Sequence, residues 1–254
     1  LIRNPGGSLS VDTVRGGYFG SIGWLAEALR SEVRAWQNAT GLSEANNNLV
    51  MSLSLGWSPD FGGSSGPISS WPLDVQAVYA AVVDAHCRNV LIVSAAGNST
   101  NGPTGNTGPI LPAAWEKRNA PTHGECSLAL GHDWSPALGF STTRYKPLLF
   151  AASGIDYKGD PIAISREGGL ARIAGYADHA VTVDANGDFT ATLTGTSVST
   201  VVVAAAAATA WFYRPNEALY TIMQYVYQGG RTVGTRADFC RSSGTPCRAR
   251  TKRA

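Results

Sequence analysis

The chain has 254 residues, a net charge of +2 and only 15% charged side chains. It is long enough to bury one large core and too weakly charged for an electrostatic partner, which argues against nucleic acid or a charged membrane surface as its target. The basic cluster Arg248, Arg250, Lys252 and Arg253 reads as a solvated tail, because chain ends are the least ordered part of a domain.

In chain order, the first pattern is SIGWLAEALRSEVRAWQ, where Ile22, Leu25, Leu29, Val33 and Trp36 recur at helical spacing. NNNLVMSLSLGW follows, a nearly continuous apolar run ending at Gly56 that predicts a buried strand of a parallel sheet. Beyond the turn-rich SPDFGGSSGPISSWP, Val75, Val78, Val82 and Ala85 mark a second helix, with Pro72 near its first turn. NVLIVSAAGN is the next buried strand, and KPLLFAASGID a third after a Gly-, Pro-, Asn- and Thr-rich loop over residues 99–146.

This alternation predicts an α/β fold, a three-layer parallel sheet with helices on both faces, as one domain over 1–254 with a Cys-containing basic tail at 231–254. Val198 to Tyr213 is shorter than a bilayer span and carries Ser199, Thr200 and Thr209, so it reads as a core helix and no membrane partner is expected. Ligands of parallel sheets bind beyond the carboxyl ends of the strands, which puts Gly56, Gly97, Asn98 and the loop after Asp156 on one functional edge.

The four cysteines, Cys87, Cys126, Cys240 and Cys247, show no C-x-x-C spacing and predict disulfides in a secreted or periplasmic setting. Cys240 and Cys247 flank a Ser-Ser-Gly-Thr-Pro turn and are expected to pair, leaving Cys87 with Cys126.

Two residues carry alternative readings. Asn98, after Ala-Ala-Gly at a strand end, is either a turn residue or a fixed amide donor for developing negative charge. Ser197, where the polar TGTS knot meets an apolar helix, is either an N-cap or a nucleophile served by the helix N-terminus. Together, IVSAAGN and LTGTSVST resemble the motifs of the subtilisin-like serine proteases, the subtilases. MSLSLGW is similar to the family's Ser-Leu-Gly strand, ILPAAW to its Tyr-Pro-Ala segment and LLFAASGID to the strand that follows.

The resemblance implies Ser197 as nucleophile, Asn98 as oxyanion donor, and Ser54, Leu55 and Gly56 with Ala95, Ala96 and Gly97 as backbone walls holding an extended polypeptide substrate. No cofactor is expected; bound calcium, common in the family, remains an open expectation with no ligand cluster legible in the sequence. The chain departs from the pattern where Val201 replaces the proline of the nucleophile helix and where Ala177-Asp178-His179 stands for Ala-Pro-Gly.

The largest departure is the triad, whose Asp and His should precede these motifs. Asp12 belongs to no strand pattern, and Asp178 beside His179 is expected to point away from it. His86 reads as a helix-terminal charge, and His123 and His132 lie in the loop. The triad Asp and His are therefore expected upstream of Leu1, in an N-terminal part of the same domain. The alternative function is a non-catalytic subtilase-like domain that binds extended peptides or a partner protein.

Overall fold

The computed structural model describes residues 10–11, 18–40, 48–99, 107–133, 145–166, 168–169, 171–183, 186–230 and 252–253. An antiparallel pair, β1 (Ser10–Val11) and β2 (Tyr18–Phe19), precedes helix α1 (Ile22–Thr40). Strand β3 (Leu49–Leu53), helix α2 (Leu73–Cys87) and strand β4 (Val90–Ala95) then alternate as the apolar patterns predict. Short helix α3 (His123–Leu130) precedes β5 (Phe150–Ile155) and β6 (Ile173–Tyr176). A hairpin, β7 (Ala180–Val183) and β8 (Phe189–Leu193), leads into the long helix α4 (Thr196–Tyr213), and α5 (Leu219–Gly229) follows.

The main sheet is wholly parallel in the order β3-β4-β5-β6, closed at one edge by β9 (Lys252–Arg253). Successive strand residues face opposite sides, so β4 supplies both cores. Val90 and Ile92 join Leu25, Leu29, Val33, Val75, Val78 and Val82 under α1 and α2. Leu91 and Val93 join Phe150, Ile173, Val203, Ala207, Trp211 and Ile222 under α4 and α5. The expected three-layer α/β architecture is thus the observed one. By length and composition α4 could cross a membrane, but its Thr196, Ser199, Thr200, Val203, Ala204, Ala207 and Trp211 are buried.

Two local expectations are corrected, and one cysteine pairing is found as expected. Residues 99–146 are not simply loop: a 3-10 turn covers Ala113–Lys117, and α3 is started by a capping box in which Thr122 Oγ1 accepts from the Glu125 N–H and Glu125 returns the bond. The basic terminus is not wholly a free tail, because the backbone of Lys252–Arg253 pairs with Ile173–Ala174. Cys87, at the end of α2, is bridged to Cys126 on α3. The expected partners Cys240 and Cys247 lie outside the described residues.

Candidate active site

The register that pairs Leu53 with Ser94 brings the carboxyl ends of β3 and β4 level. Ser54, Leu55 and Gly56 therefore leave the sheet beside Ala95, Ala96 and Gly97. The N-terminus of α4 lies at the same edge, and four hydrogen bonds fix it there. Ser54 Oγ donates to the Ser197 carbonyl oxygen at 3.0 Å. Gly97 N–H donates to Thr196 Oγ1 at 3.2 Å. The Thr196 N–H donates to Asn98 Oδ1 at 2.9 Å, and Thr196 Oγ1 adds a second bond to the same oxygen at 3.1 Å.

This arrangement decides how the Asn98 amide faces. A backbone N–H needs an acceptor, so the oxygen turns toward Thr196 and the NH₂ toward the other side. Asn98 is solvent-exposed, so that NH₂ is available to a ligand. Gly195 makes room for it: a Cβ at this residue would lie 2.9 Å from Asn98 Nδ2, and its φ of 156° also favours glycine.

The hydroxyls of the TGTS knot now separate by role. Gly195, not Ser197, occupies the N-cap position, and the N-cap residue itself makes no side-chain capping bond. The capping reading of Ser197 is therefore overturned. Thr200 Oγ1 donates to the Thr196 carbonyl at 2.7 Å, and Ser199 Oγ joins the Ser153 carbonyl to the Gly175 N–H. Thr196, Ser199 and Thr200 are buried, whereas Ser197 is half-exposed in the first turn. Thr196 was not among the residues expected to serve the site, yet it orients Asn98. In sequence, a threonine at a helix start signals only a cap.

The contacts described for the four histidines are with groups other than Ser197. His86 is buried, its Nδ1 3.1 Å from the Leu148 carbonyl and its Nε2 2.7 Å from the Tyr220 hydroxyl. Burial lowers its pKa from 6.5 to about 4, so it is neutral at pH 7 and the expected helix-terminal charge role fails. His123 opens α3 and stands 3.5 Å from Asp133, and His132 Nδ1 is 3.2 Å from the Asp133 carbonyl.

His179 pairs with Asp178 at 2.8 Å, contrary to the expectation that this carboxylate points away. Its φ of 51° bends the chain enough for neighbouring side chains to meet, which a strand would forbid. Thr194 Oγ1 stabilises the bend, accepting from the His179 N–H and donating to Asp178. No cluster of three or more His, Cys, Asp or Glu groups suited to a metal occurs among the described residues.

A serine in the first turn of a helix, an exposed amide beside it and two adjoining strand ends thus gather at one edge of the parallel sheet. The sequence matches the Subtilase family over residues 19–229, and the chain belongs to that family. The self-cleaved protease domain of PatA is similar, with a TM-score of 0.53 and 20% identity over 87% of this chain and 64% of that one. Sphericase gives 0.53 and 18% over 85% and 57%, and the prenylagaramide maturation protease PagA 0.54 and 17% over 87% and 61%. At such identities the likeness establishes the subtilisin-like fold. The chain spans roughly three-fifths of these proteins' length. No curated protein sequence matches it.

Proposed function

We propose that this chain carries the nucleophile and oxyanion donor of a serine endopeptidase, with the triad Asp and His supplied by an N-terminal part of the same domain. The observation that carries the reading is the Thr196 lock on Asn98, which holds an exposed NH₂ beside the Ser197 turn. A plain turn asparagine would not need both Thr196 donors on its oxygen. In the reaction, Ser197 Oγ attacks the peptide carbonyl carbon and its proton passes to the supplied imidazole. The oxyanion bonds to Asn98 Nδ2 and to a first-turn amide of α4. The C–N bond then breaks as the imidazole returns the proton to the leaving amine. Water hydrolyses the acyl-enzyme by the same route.

The bare outer face of α4 supports a further covering segment. Val201, Val202, Phe212 and Tyr213 are exposed there, and α4 has no charged residue in its length. A helix apolar all round is normally buried. The proposed setting is secreted or periplasmic, consistent with the Cys87–Cys126 bridge. The substrate is a polypeptide, and no metal or organic cofactor takes part in the proposed chemistry.

The test is fluorophosphonate labelling and peptide turnover by the complete gene product, with Ser197→Ala as control. Ser197-dependent labelling and cleavage are expected. Tight peptide binding with neither would leave the non-catalytic, peptide-binding alternative.

A further inference from the structure

The two walls of the site are glycine where they face inward, and one side chain stands between them. Trp57 N–H donates to the Leu111 carbonyl at 2.8 Å and Leu111 N–H returns the bond at 3.0 Å. This bridge carries Ile110 alongside Gly56. A Cβ on Gly56 would lie 2.5 Å from Ile110 Cδ1 and 2.6 Å from the Leu111 oxygen. From the opposite wall, a Cβ on Gly97 would lie 2.9 Å from the same Cδ1 and 3.1 Å from both Cγ atoms. The Ile110 side chain thus touches bare backbone on both sides. It is held from below by the alanine cluster Ala96, Ala113, Ala151 and Ala171 and remains half-exposed.

A substrate carbonyl held between Ser197 and Asn98 Nδ2 puts the residue that owns it next to Gly97, one position before Asn98. Its side chain must enter the space between Gly97 and Gly56, and Ile110 already fills that space. We propose that Ile110 is the specificity-determining residue of the site and restricts cleavage to bonds after small residues, namely glycine, alanine and serine. This rests on the peptidase reading given above. A larger apolar side chain would have to displace a branched residue packed on three sides, and close-packed sites yield poorly to added volume.

The experiment uses the complete enzyme and two quenched fluorescent peptides that differ only in the residue before the cut bond, alanine or phenylalanine. The wild type should favour alanine by at least about tenfold in kcat/KM, the scale at which apolar pockets discriminate. Ile110→Ala should raise turnover of the phenylalanine peptide by about tenfold or more with little change for alanine. Ile110→Val, which keeps the packing, should move the ratio in the same direction by less and guards against a misfolded alanine variant. A wild type that prefers phenylalanine, or a ratio unchanged in both variants while Ser197 labelling persists, overturns the pocket assignment alone. Absence of both labelling and turnover in the wild type overturns the peptidase reading, and this inference with it.

Discussion

Asn98 and Thr196 make separable predictions because, in the proposed reaction, one touches the reacting oxygen and the other only aims it. In the complete enzyme, Asn98→Ala should lower kcat while leaving KM nearly unchanged, since the amide bonds the oxyanion rather than the ground-state carbonyl. The expected loss, about 10²- to 10³-fold, is borrowed from the oxyanion asparagine of subtilisin itself. Thr196→Val keeps the side-chain shape but removes one of two bonds to Asn98 Oδ1 and the acceptor of the Gly97 N–H. It should lower kcat by less than Asn98→Ala, because the Thr196 N–H still holds the oxygen. An unaltered kcat with a falling melting temperature would make Thr196 purely structural. Ser197 and Asn98 stood out as candidates because a polar knot and an Ala-Ala-Gly-Asn strand end are each odd in their surroundings. The aiming role of Thr196 was not, since it depends on a contact between residues 98 apart.

Elements of this fold are joined by two buried ionisable groups whose pH effects oppose each other. His86 on α2 reaches the Leu148 carbonyl before β5 and the Tyr220 hydroxyl on α5. Its folded pKa of about 4 lies below its unfolded 6.5, so the unfolded chain binds more protons between them. Its contribution is complete above pH 6.5 and is lost as pH falls toward 4. Glu116 in the 3-10 turn behaves oppositely: burial raises its pKa from 4.5 to about 7 against weaker lowering by Tyr145, the Ala151 and Arg172 backbone N–H groups and the Arg172 charge. Its contribution is complete below pH 4.5 and is lost as pH rises toward 7. The contributions of these two groups should therefore largely cancel between pH 4.5 and 6.5. Glu116→Gln should unmask the histidine, so that stability rises with pH by on the order of 2 to 3 kcal/mol in urea titrations. A flat profile in the variant would sink the His86 assignment. Helices α1 and α2 were legible from apolar periodicity and β3, β4, β5 and α4 from apolar runs, whereas β6 and α5 were not read, and α3 was hidden because its eight residues lack an amphipathic stripe. Its Thr122-x-x-Glu125 capping box was the available signal.

At the scale of the whole molecule, the unresolved tension is between a well-built nucleophile turn and the absence, among the described residues, of a base assigned to it. The surface of α4 suggests where the N-terminal part proposed above would pack. Val201 is 55% exposed, Phe212 80% and Tyr213 77%, all on the helix that aims Ser197. Strand β3, the other wall, pairs only with β4 among the described residues, which leave its second edge without a partner strand. An apolar helix face beside such a strand edge is what a covering strand and helix would leave exposed on removal. The 254-residue chain alone should therefore bind a hydrophobic dye, self-associate as concentration rises and show no Ser197-dependent turnover. Supplying the N-terminal part of the domain in trans should quench the dye, restore a single species and switch on Ser197 labelling. Val201→Lys, placing a charge on the outer face two turns or less from the site, should block that rescue while leaving the buried face of α4 intact. A monomeric, dye-silent chain that hydrolyses peptides through Ser197 by itself would refute the whole scheme. The base would then have to be sought within the chain, first at the Asp178–His179 pair.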